Sequence, residues 1–184
     1  MNVCFSLLDE EENDRIWDRV MEELRFQPSI RVEQPPFQLP VPWVVHGLAY
    51  YPVDAQGKEF EDTVCQALIT SLGDDPWCYA LDWHHEGYRY DPRRPLEVRS
   101  FWVEDARYQH GGYNAYFPGP YPDGDYHFYL QRDLNWGYLG HPWRRELWLF
   151  GAPLIDALSA PLETLGFPVK EKYTQETGGT IDVN

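Results

Sequence analysis

Proline and glycine recur so closely between residues 116 and 143 that no helix of ordinary length fits into this segment. The segment also contains five tyrosines, two tryptophans, two phenylalanines and two histidines. Within residues 126–132, Tyr126, Phe128 and Leu130 occupy alternate positions, so they share one face of a predicted strand. The segment therefore predicts strands joined by turns, and its many rings suggest either a binding surface or a packed hairpin.

Three other stretches have the periodicity of amphipathic helices. In residues 9–26, Asp9 can cap the first turn, acidic residues follow it, and apolar residues recur at intervals of three and four. Residues 58–72 show the same periodicity and end at Gly73. Residues 152–166 carry leucines at helical spacing. We expect a helix in each stretch.

Strands, turns and a connector are predicted between these helices. The prolines between residues 35 and 42 exclude a helix and a central strand, so we expect an extended connector. Residues 54–57 and 122–124 have the composition of turns, and residues 87–95 that of a loop or short edge strand. Residues rich in β-branched and aromatic side chains predict strands at 43–53, 77–85, 98–103 and 145–150.

The order of these elements predicts the fold class. Strands and helices do not alternate regularly, which favours an α+β domain over a parallel α/β fold. We expect one globular domain spanning residues 1–184, with a mainly antiparallel sheet and about three helices packed mostly on one face. Residues after about 168 are polar and are expected to form an edge strand or a tail.

The formal net charge of −15 narrows the possible partners. Such a charge repels nucleic acids and anionic membranes, and it attracts basic proteins; solubility alone also accounts for it. Acidic patches at residues 9–14, 59–62 and 82–86 would steer a basic partner. The chain starts without a signal-peptide pattern, contains no apolar run of membrane-spanning length, and holds three cysteines with no C-x-x-C pair. We therefore expect a cytoplasmic protein.

The candidate metal ligands are one aspartate and several histidines. Asp82 and His84 share a face of the strand predicted at 77–85 and need a third ligand such as His127 or His141. His84 and His85 would point to opposite faces of that strand and so could not serve one ion. Because any chain with six histidines offers such sets, we favour ordinary histidines and expect no metal site, no cofactor and no catalytic residue. No G-x-S-x-G or phosphate-loop pattern is present.

The aromatic loops are the strongest candidates for a protein-binding surface, because tyrosine, tryptophan and arginine dominate interface hot spots. Residues 108–121 alone hold five aromatic side chains, with too much glycine and proline for a helix. The alternative is that these rings only pack against the sheet. The residues expected to bind a partner are Tyr113, Tyr116, Tyr121, Asp123, Asp125, Trp136 and His141.

Several short motifs resemble an uncharacterised bacterial family, a domain of unknown function in small acidic cytosolic proteins common in actinobacteria. The motifs are the Tyr-Pro-Asp-Gly-Asp-Tyr of residues 121–126, the Gly-His-Pro-Trp of residues 140–143 and the leucine-rich helix that follows. This resemblance implies no activity. In size, acidity and lack of catalytic motifs the chain is also similar to immunity proteins of bacterial toxin systems.

Together these observations predict a non-enzymatic protein-binding module, an inhibitor of immunity or antitoxin type with a basic protein partner. A metal-dependent hydrolase using Asp82 and His84 with a further histidine is the first alternative. A regulatory or structural subunit of a larger assembly is the second, since it would use the same surfaces.

Overall fold

The computed structural model describes residues 4–30, 37–49, 54–174 and 180–182. These residues contain three helices, α1 (Glu10–Glu23), α2 (Asp54–Leu72) and α3 (Ala152–Thr164). The strands are β1 (Phe5–Leu7), β2 (Trp43–Gly47), β3 (Cys78–Asp82), β4 (Gly87–Tyr90), β5 (Ser100–Glu104), β6 (Gly112–Tyr116), β7 (His127–Leu130), β8 (Gly137–His141), β9 (Glu146–Phe150), β10 (Val169–Tyr173) and β11 (Thr180–Asp182).

Nine of the strands form one sheet in the order β1-β4-β3-β7-β8-β9-β2-β10-β11, and every neighbouring pair is antiparallel. Strands β5 and β6 pair only with each other and form a separate two-stranded sheet. With three helices beside an antiparallel sheet, the predicted α+β class is confirmed.

The two faces of the large sheet are covered by different helices. On one face, here called the helix-pair face, α2 and α3 pack together over residues such as Val44, Ala80 and Tyr129. On the other, the α1 face, Ile16 and Val20 of α1 and its C-cap residue Leu24 pack over strand residues such as Leu81 and Phe128. The alternation of residues along each strand produces these two cores. The sequence predicts that the helices pack mostly on one face of the sheet. In the structure, α2 and α3 share one face and α1 lies on the other.

Helix α1 starts where the sequence predicts and ends at Glu23, before the predicted limit of residue 26. Asp9 is the N-cap, and its Oδ1 accepts a hydrogen bond from the Glu12 backbone N–H at 2.8 Å. Ile16, Val20 and Leu24 are fully buried, which is the stripe that the periodicity predicts. The cap therefore sets where the helix starts, and the apolar spacing sets which side of the helix faces the sheet.

Four local predictions were wrong. Residues 54–57 form the first turn of α2 and do not form a separate turn. The strand at 77–85 ends at Asp82, after which residues 83–85 turn. Gly87–Tyr90 is an interior strand between β1 and β3, where a loop or edge segment was expected. Gly112–Tyr116, expected as a loop, is a strand paired with β5.

Two of the predicted segments, the proline connector and the strand at 43–53, lie partly outside the described residues. Residues 35–36 of the proline connector and residues 50–53 of the strand predicted at 43–53 lie outside them, and β2 covers Trp43–Gly47. After residue 168 the chain forms β10, which pairs with β2, and β11 pairs with β10 at the edge. The expected turn at residues 122–124 is supported by Gly124, whose φ is 84°.

Candidate functional site

Asp82 and His127 form a cross-strand pair where β3 ends and β7 begins. They are register partners, and both are 7% exposed. His127 Nε2 lies 3.8 Å from Asp82 Oδ2. His127 Nδ1 lies 2.8 Å from the Gly119 carbonyl oxygen, which can only accept, so Nδ1 carries a proton. In the neutral ring the Nε2 lone pair therefore points toward a carboxylate.

The two adjacent histidines, His84 and His85, lie in the turn after β3. His85 Nδ1 is 3.1 Å from Asp82 Oδ1, and His84 Nδ1 is 2.5 Å from Asp125 Oδ2. The side chain of His85 is 55% exposed and that of His84 is 65% exposed. The prediction that the two histidines point to opposite faces of a strand was wrong, because the turn brings both back toward the end of β3.

These contacts define a His/Asp cluster, consisting of Asp82, His84, His85, Asp125 and His127. One donor atom each from Asp82, His85 and Asp125 lies within 4.8 Å of the others. Asp125 is anchored because its Oδ1 accepts the Tyr126 backbone N–H at 2.7 Å. Asp82 Oδ1 is buried, and the polar group beside it is the His85 imidazole at 3.1 Å. The cluster thus combines two buried carboxylates with solvent-exposed imidazoles.

His141, the other third ligand considered, lies apart from this cluster. It is fully buried on the α1 face, where its Nε2 is 3.4 Å from the Tyr126 hydroxyl and its Nδ1 accepts the Arg144 N–H at 3.3 Å. Burial lowers the pKa of His141 to about 4. Its neighbours on β8 explain the separation: Gly140 pairs with His127, so the next residue points to the other side of the sheet.

The predicted partner-binding residues are distributed over very different environments. Tyr116 is 57% exposed, Asp123 is exposed, and Tyr121 is half-buried against Phe60. Trp136 is only 2% exposed and packs in the core of the helix-pair face. Asp125 belongs to the His/Asp cluster and His141 to the α1 face. Trp136 and His141 therefore have packing positions, and Tyr116 and Asp123 remain available to a partner.

The β5–β6 hairpin presents an exposed face that the sequence analysis missed in part. Trp102 is 51% exposed and stands opposite Asn114, beside the pair of Ser100 and Tyr116. Tyr113, on the other side, stacks on Tyr108 at 4.7 Å between ring centroids. Burial, followed by the Glu86 carboxylate, raises the pKa of Tyr113 to about 12. The sequence holds a signal for this face. In a strand at 98–103, Trp102 points to the side opposite its apolar neighbours Phe101 and Val103.

The solvent side of α1 carries an acidic ridge, consisting of Glu10, Asp14, Asp18 and Glu22. All four are exposed and are spaced four residues apart, so each lies one turn above the last. Among the described residues none of them forms a salt bridge, because Arg15 and Arg19 of the same helix pair with other acids. The last turn of α1 holds no basic residue to balance the helix dipole.

The other two predicted acidic patches are partly neutralised. In the patch at 59–62, Glu61 bonds to Arg99 at 2.7 Å and Asp62 to Lys58 at 2.6 Å. In the patch at 82–86, Asp82 lies against histidines. The ridge on α1, by contrast, has no salt bridge within the described residues.

A cleft of about 560 Å³ lies beside α2, against the chain that follows β4. Cys65 lies in its wall, and its thiol donates to the Pro92 carbonyl at 3.4 Å. Burial raises the pKa of this thiol, which disfavours the reactive thiolate. The cleft arginines are already engaged, Arg93 and Arg94 with Asp91 and Arg99 with Glu61. Among the described residues that line it, the cleft therefore offers no activated thiol and no arginine without an acidic partner.

Sequence comparison places these features in a family. Residues 7–155, which include α1, the His/Asp cluster and the hairpin, match the family described as "Protein of unknown function (DUF2716)". The chain belongs to this family. The chain is also similar to the "Uncharacterized protein YxiI" of Bacillus subtilis (strain 168), at 27% identity over 160 residues that cover 82% of this chain and 90% of the relative. The expected kind of family, a bacterial domain of unknown function, is confirmed.

No solved structure matches this DUF2716 chain. Within the described residues, no helix is both long enough and apolar enough to cross a membrane.

Proposed function

We propose that this protein binds a basic protein partner and acts as an inhibitor of immunity or antitoxin type. The observation that carries the proposal is the acidic ridge on α1. Four exposed carboxylates stand one helical turn apart without a salt bridge in the described structure. A complementary row of lysines or arginines on a partner would meet this ridge directly.

The ridge is unfavourable for the folded protein by itself. Like charges at positions i and i+4 destabilise a helix by about 0.2–0.5 kcal/mol per pair, and the ridge contains three such pairs. Acidic residues near the end of α1 also oppose the helix dipole. The ridge therefore lowers the stability of the free protein, and a bound cationic surface would remove this repulsion. This difference supports a binding role.

The exposed hairpin face supplies the apolar contact that charge alone lacks. Trp102 and Tyr116 stand on the same solvent face of β5–β6, at 51% and 57% exposure. Large rings of this kind bury much area at low entropy cost and dominate interface hot spots. In this proposal the ridge steers the encounter and the rings hold the complex.

A subunit role in a larger assembly would use the same surfaces. The identity of the partner separates the two: a single basic polypeptide supports the inhibitor, and a set of co-purifying proteins in fixed ratio supports the subunit. The small, acidic, single-domain character of the chain favours the inhibitor.

Metal-dependent hydrolysis is a second candidate function, and one observation favours it. The His/Asp cluster combines the buried carboxylates of Asp82 and Asp125 with the exposed imidazole of His85. Such a set leaves ligand positions open for water or substrate. Of the ligands predicted from the sequence, Asp82 and His127 lie in this cluster and His141 does not. His84 lies beside the cluster and contacts Asp125.

Affinity capture tests the binding proposal. The tagged protein is incubated with lysate of its own source at about 0.05 M and about 0.5 M salt, and bound proteins are identified by mass spectrometry. Because the Debye length falls from about 10 Å at 0.1 M to about 3 Å at 1 M salt, a partner held by the ridge is retained at low salt and weakened at high salt. A bait that captures nothing at low salt would contradict the proposal.

A further inference from the structure

The buried carboxylate of Asp82 is flanked by two imidazole nitrogens. Its Oδ1 lies 3.1 Å from Nδ1 of the exposed His85, and its Oδ2 faces Nε2 of the buried His127 at 3.8 Å. That distance is too long for a hydrogen bond, and His127 already donates its Nδ1 proton to Gly119. Buried charges are paired or coordinate metals, and a metal ion between Asp82 and the Nε2 lone pair of a neutral His127 ring would balance this carboxylate.

We infer that Asp82, His85 and Asp125 form a binding site for a divalent transition-metal ion, with His127 as a fourth donor beside Asp82. Two carboxylates with one or two imidazoles suit Zn²⁺ or Mn²⁺. The set lacks the thiolates that softer ions such as Cu⁺ prefer, and all-oxygen sites are preferred by Ca²⁺ and Mg²⁺.

The spacing of the donor atoms is close to what one ion needs. The donor atoms of Asp82, His85 and Asp125 lie within 4.8 Å of one another. Ligands at about 2 Å from a tetrahedral metal lie roughly 3.3 Å apart, so the site must contract by about an ångström or more. His85 can supply this movement, because it lies in a turn and its side chain is 55% exposed.

The surroundings of the site resemble the outer shell of known metal centres. Ligating histidines usually donate their second ring N–H to a backbone carbonyl, as His127 does to Gly119. Ligating carboxylates are themselves hydrogen-bonded, as Asp125 is by His84 and by the Tyr126 N–H. These contacts hold two of the donors in place before any metal arrives.

This inference does not depend on the protein-binding proposal. The cluster lies at the ends of β3 and β7, and the ridge lies on α1. The inference is a precondition for the hydrolase alternative, since a hydrolase of this type requires the metal. Loss of metal binding and loss of partner binding are measured in separate experiments.

Isothermal titration calorimetry of the EDTA-treated full chain with Zn²⁺, and separately with Mn²⁺, tests the site. The variants are His85→Ala and Asp82→Asn, and His110→Ala removes an exposed histidine outside the cluster as a matched control. Thermal unfolding without metal establishes whether each variant folds. If Asp82→Asn does not fold, the result for His85→Ala decides the test.

We expect one ion per chain, with affinity reduced at least about tenfold by His85→Ala and by Asp82→Asn and unchanged by His110→Ala. A Kd weaker than about 0.1 mM for both ions would overturn the inference. So would binding that survives His85→Ala, or that is lost in the control, because either result assigns the ion to adventitious surface histidines.

Discussion

His127 Nε2 and Asp82 Oδ2 face each other at 3.8 Å, across paired residues of β7 and β3. His127 is fixed from behind by the Gly119 carbonyl, so its ring cannot turn its protonated nitrogen to the carboxylate without breaking that bond. The two atoms are placed to share one cation. This arrangement gives His127 two separable roles, a structural one through Nδ1 and a ligand role through Nε2.

Two conservative variants of His127 separate these roles. In His127→Asn the amide N–H replaces Nδ1–H and keeps the bond to Gly119, so we expect stability within about 1 kcal/mol of wild type but Zn²⁺ affinity lower by about tenfold. In His127→Gln the side-chain amide lies near the position of Nε2, and the bond to Gly119 is lost. We therefore expect His127→Gln to lose more stability than His127→Asn. Chemical unfolding and calorimetry measure both. Equal behaviour of the two variants in both assays would contradict this division.

Neutralising the acidic ridge should stabilise the free protein. The triple variant Asp14→Asn, Asp18→Asn, Glu22→Gln, here called the ridge variant, removes all three like-charge pairs of α1. At about 0.2–0.5 kcal/mol per pair, the free energy of unfolding should rise by about 1 kcal/mol at low salt. The gain should shrink as salt screens the charges. A less stable ridge variant would show that these carboxylates support the fold.

The acid stability of the protein should depend on His141. Burial lowers its pKa from the ordinary 6.5 to about 4. Between these values the unfolded chain binds a proton that the folded chain does not, so the free energy of unfolding falls as the pH drops from 6.5 toward 4, by about 2 kcal/mol. Buried His46, with a lowered pKa, acts in the same direction.

The variant His141→Gln removes this titration. It should cost stability at pH 7.5, where its contacts to Tyr126 and Arg144 are lost or altered, and it should show a shallower decline toward pH 4. His110→Gln, at an exposed position, is the control. Urea unfolding at a series of pH values measures the slopes, and identical slopes for wild type and His141→Gln would refute the assignment.

Exposed and buried rings should respond differently to truncation. Tyr116→Ala, at a side chain that is 57% exposed, should change stability by less than about 0.5 kcal/mol and weaken the captured partner. Trp136→Ala should destabilise by about 3–5 kcal/mol, because it empties a core position. Unfolding curves and quantitative pull-down measure the two effects. A Tyr116→Ala variant that unfolds readily and binds normally would show that the hairpin only packs.

The helices and β7 could be predicted because their evidence is local. The cap of Asp9 and the spacing of Ile16 and Val20 identify α1 from a few neighbouring residues, and the alternation from Tyr126 identifies β7. Strand β8 could not be identified in this way, because Gly137 and Gly140 normally indicate turns. In the folded protein a Cβ at Gly137 would lie 2.2 Å from the Phe150 ring, so the glycine is required by its register partner on β9 and not by the residues beside it.

The candidate site was predicted only in part for the same reason. Asp82 and His127 were both recognised as possible ligands, but their pairing depends on the register of β3 with β7. His85 was discarded because the strand was extended past Asp82 into the turn. Asp125 was assigned to a partner surface, since nothing in the local sequence brings it beside His84.

The most direct test of the proposed function compares the ridge variant with a control variant of equal charge. The control carries Asp74→Asn, Glu97→Gln and Asp156→Asn, three exposed acids outside α1 and outside the three acidic patches, so each variant loses three negative charges. The measurement is the amount of the basic partner captured by each bait at low salt, by quantitative mass spectrometry. The proposal predicts that the control retains the partner and the ridge variant loses most of it. Equal capture by the two variants would contradict the ridge as the binding surface.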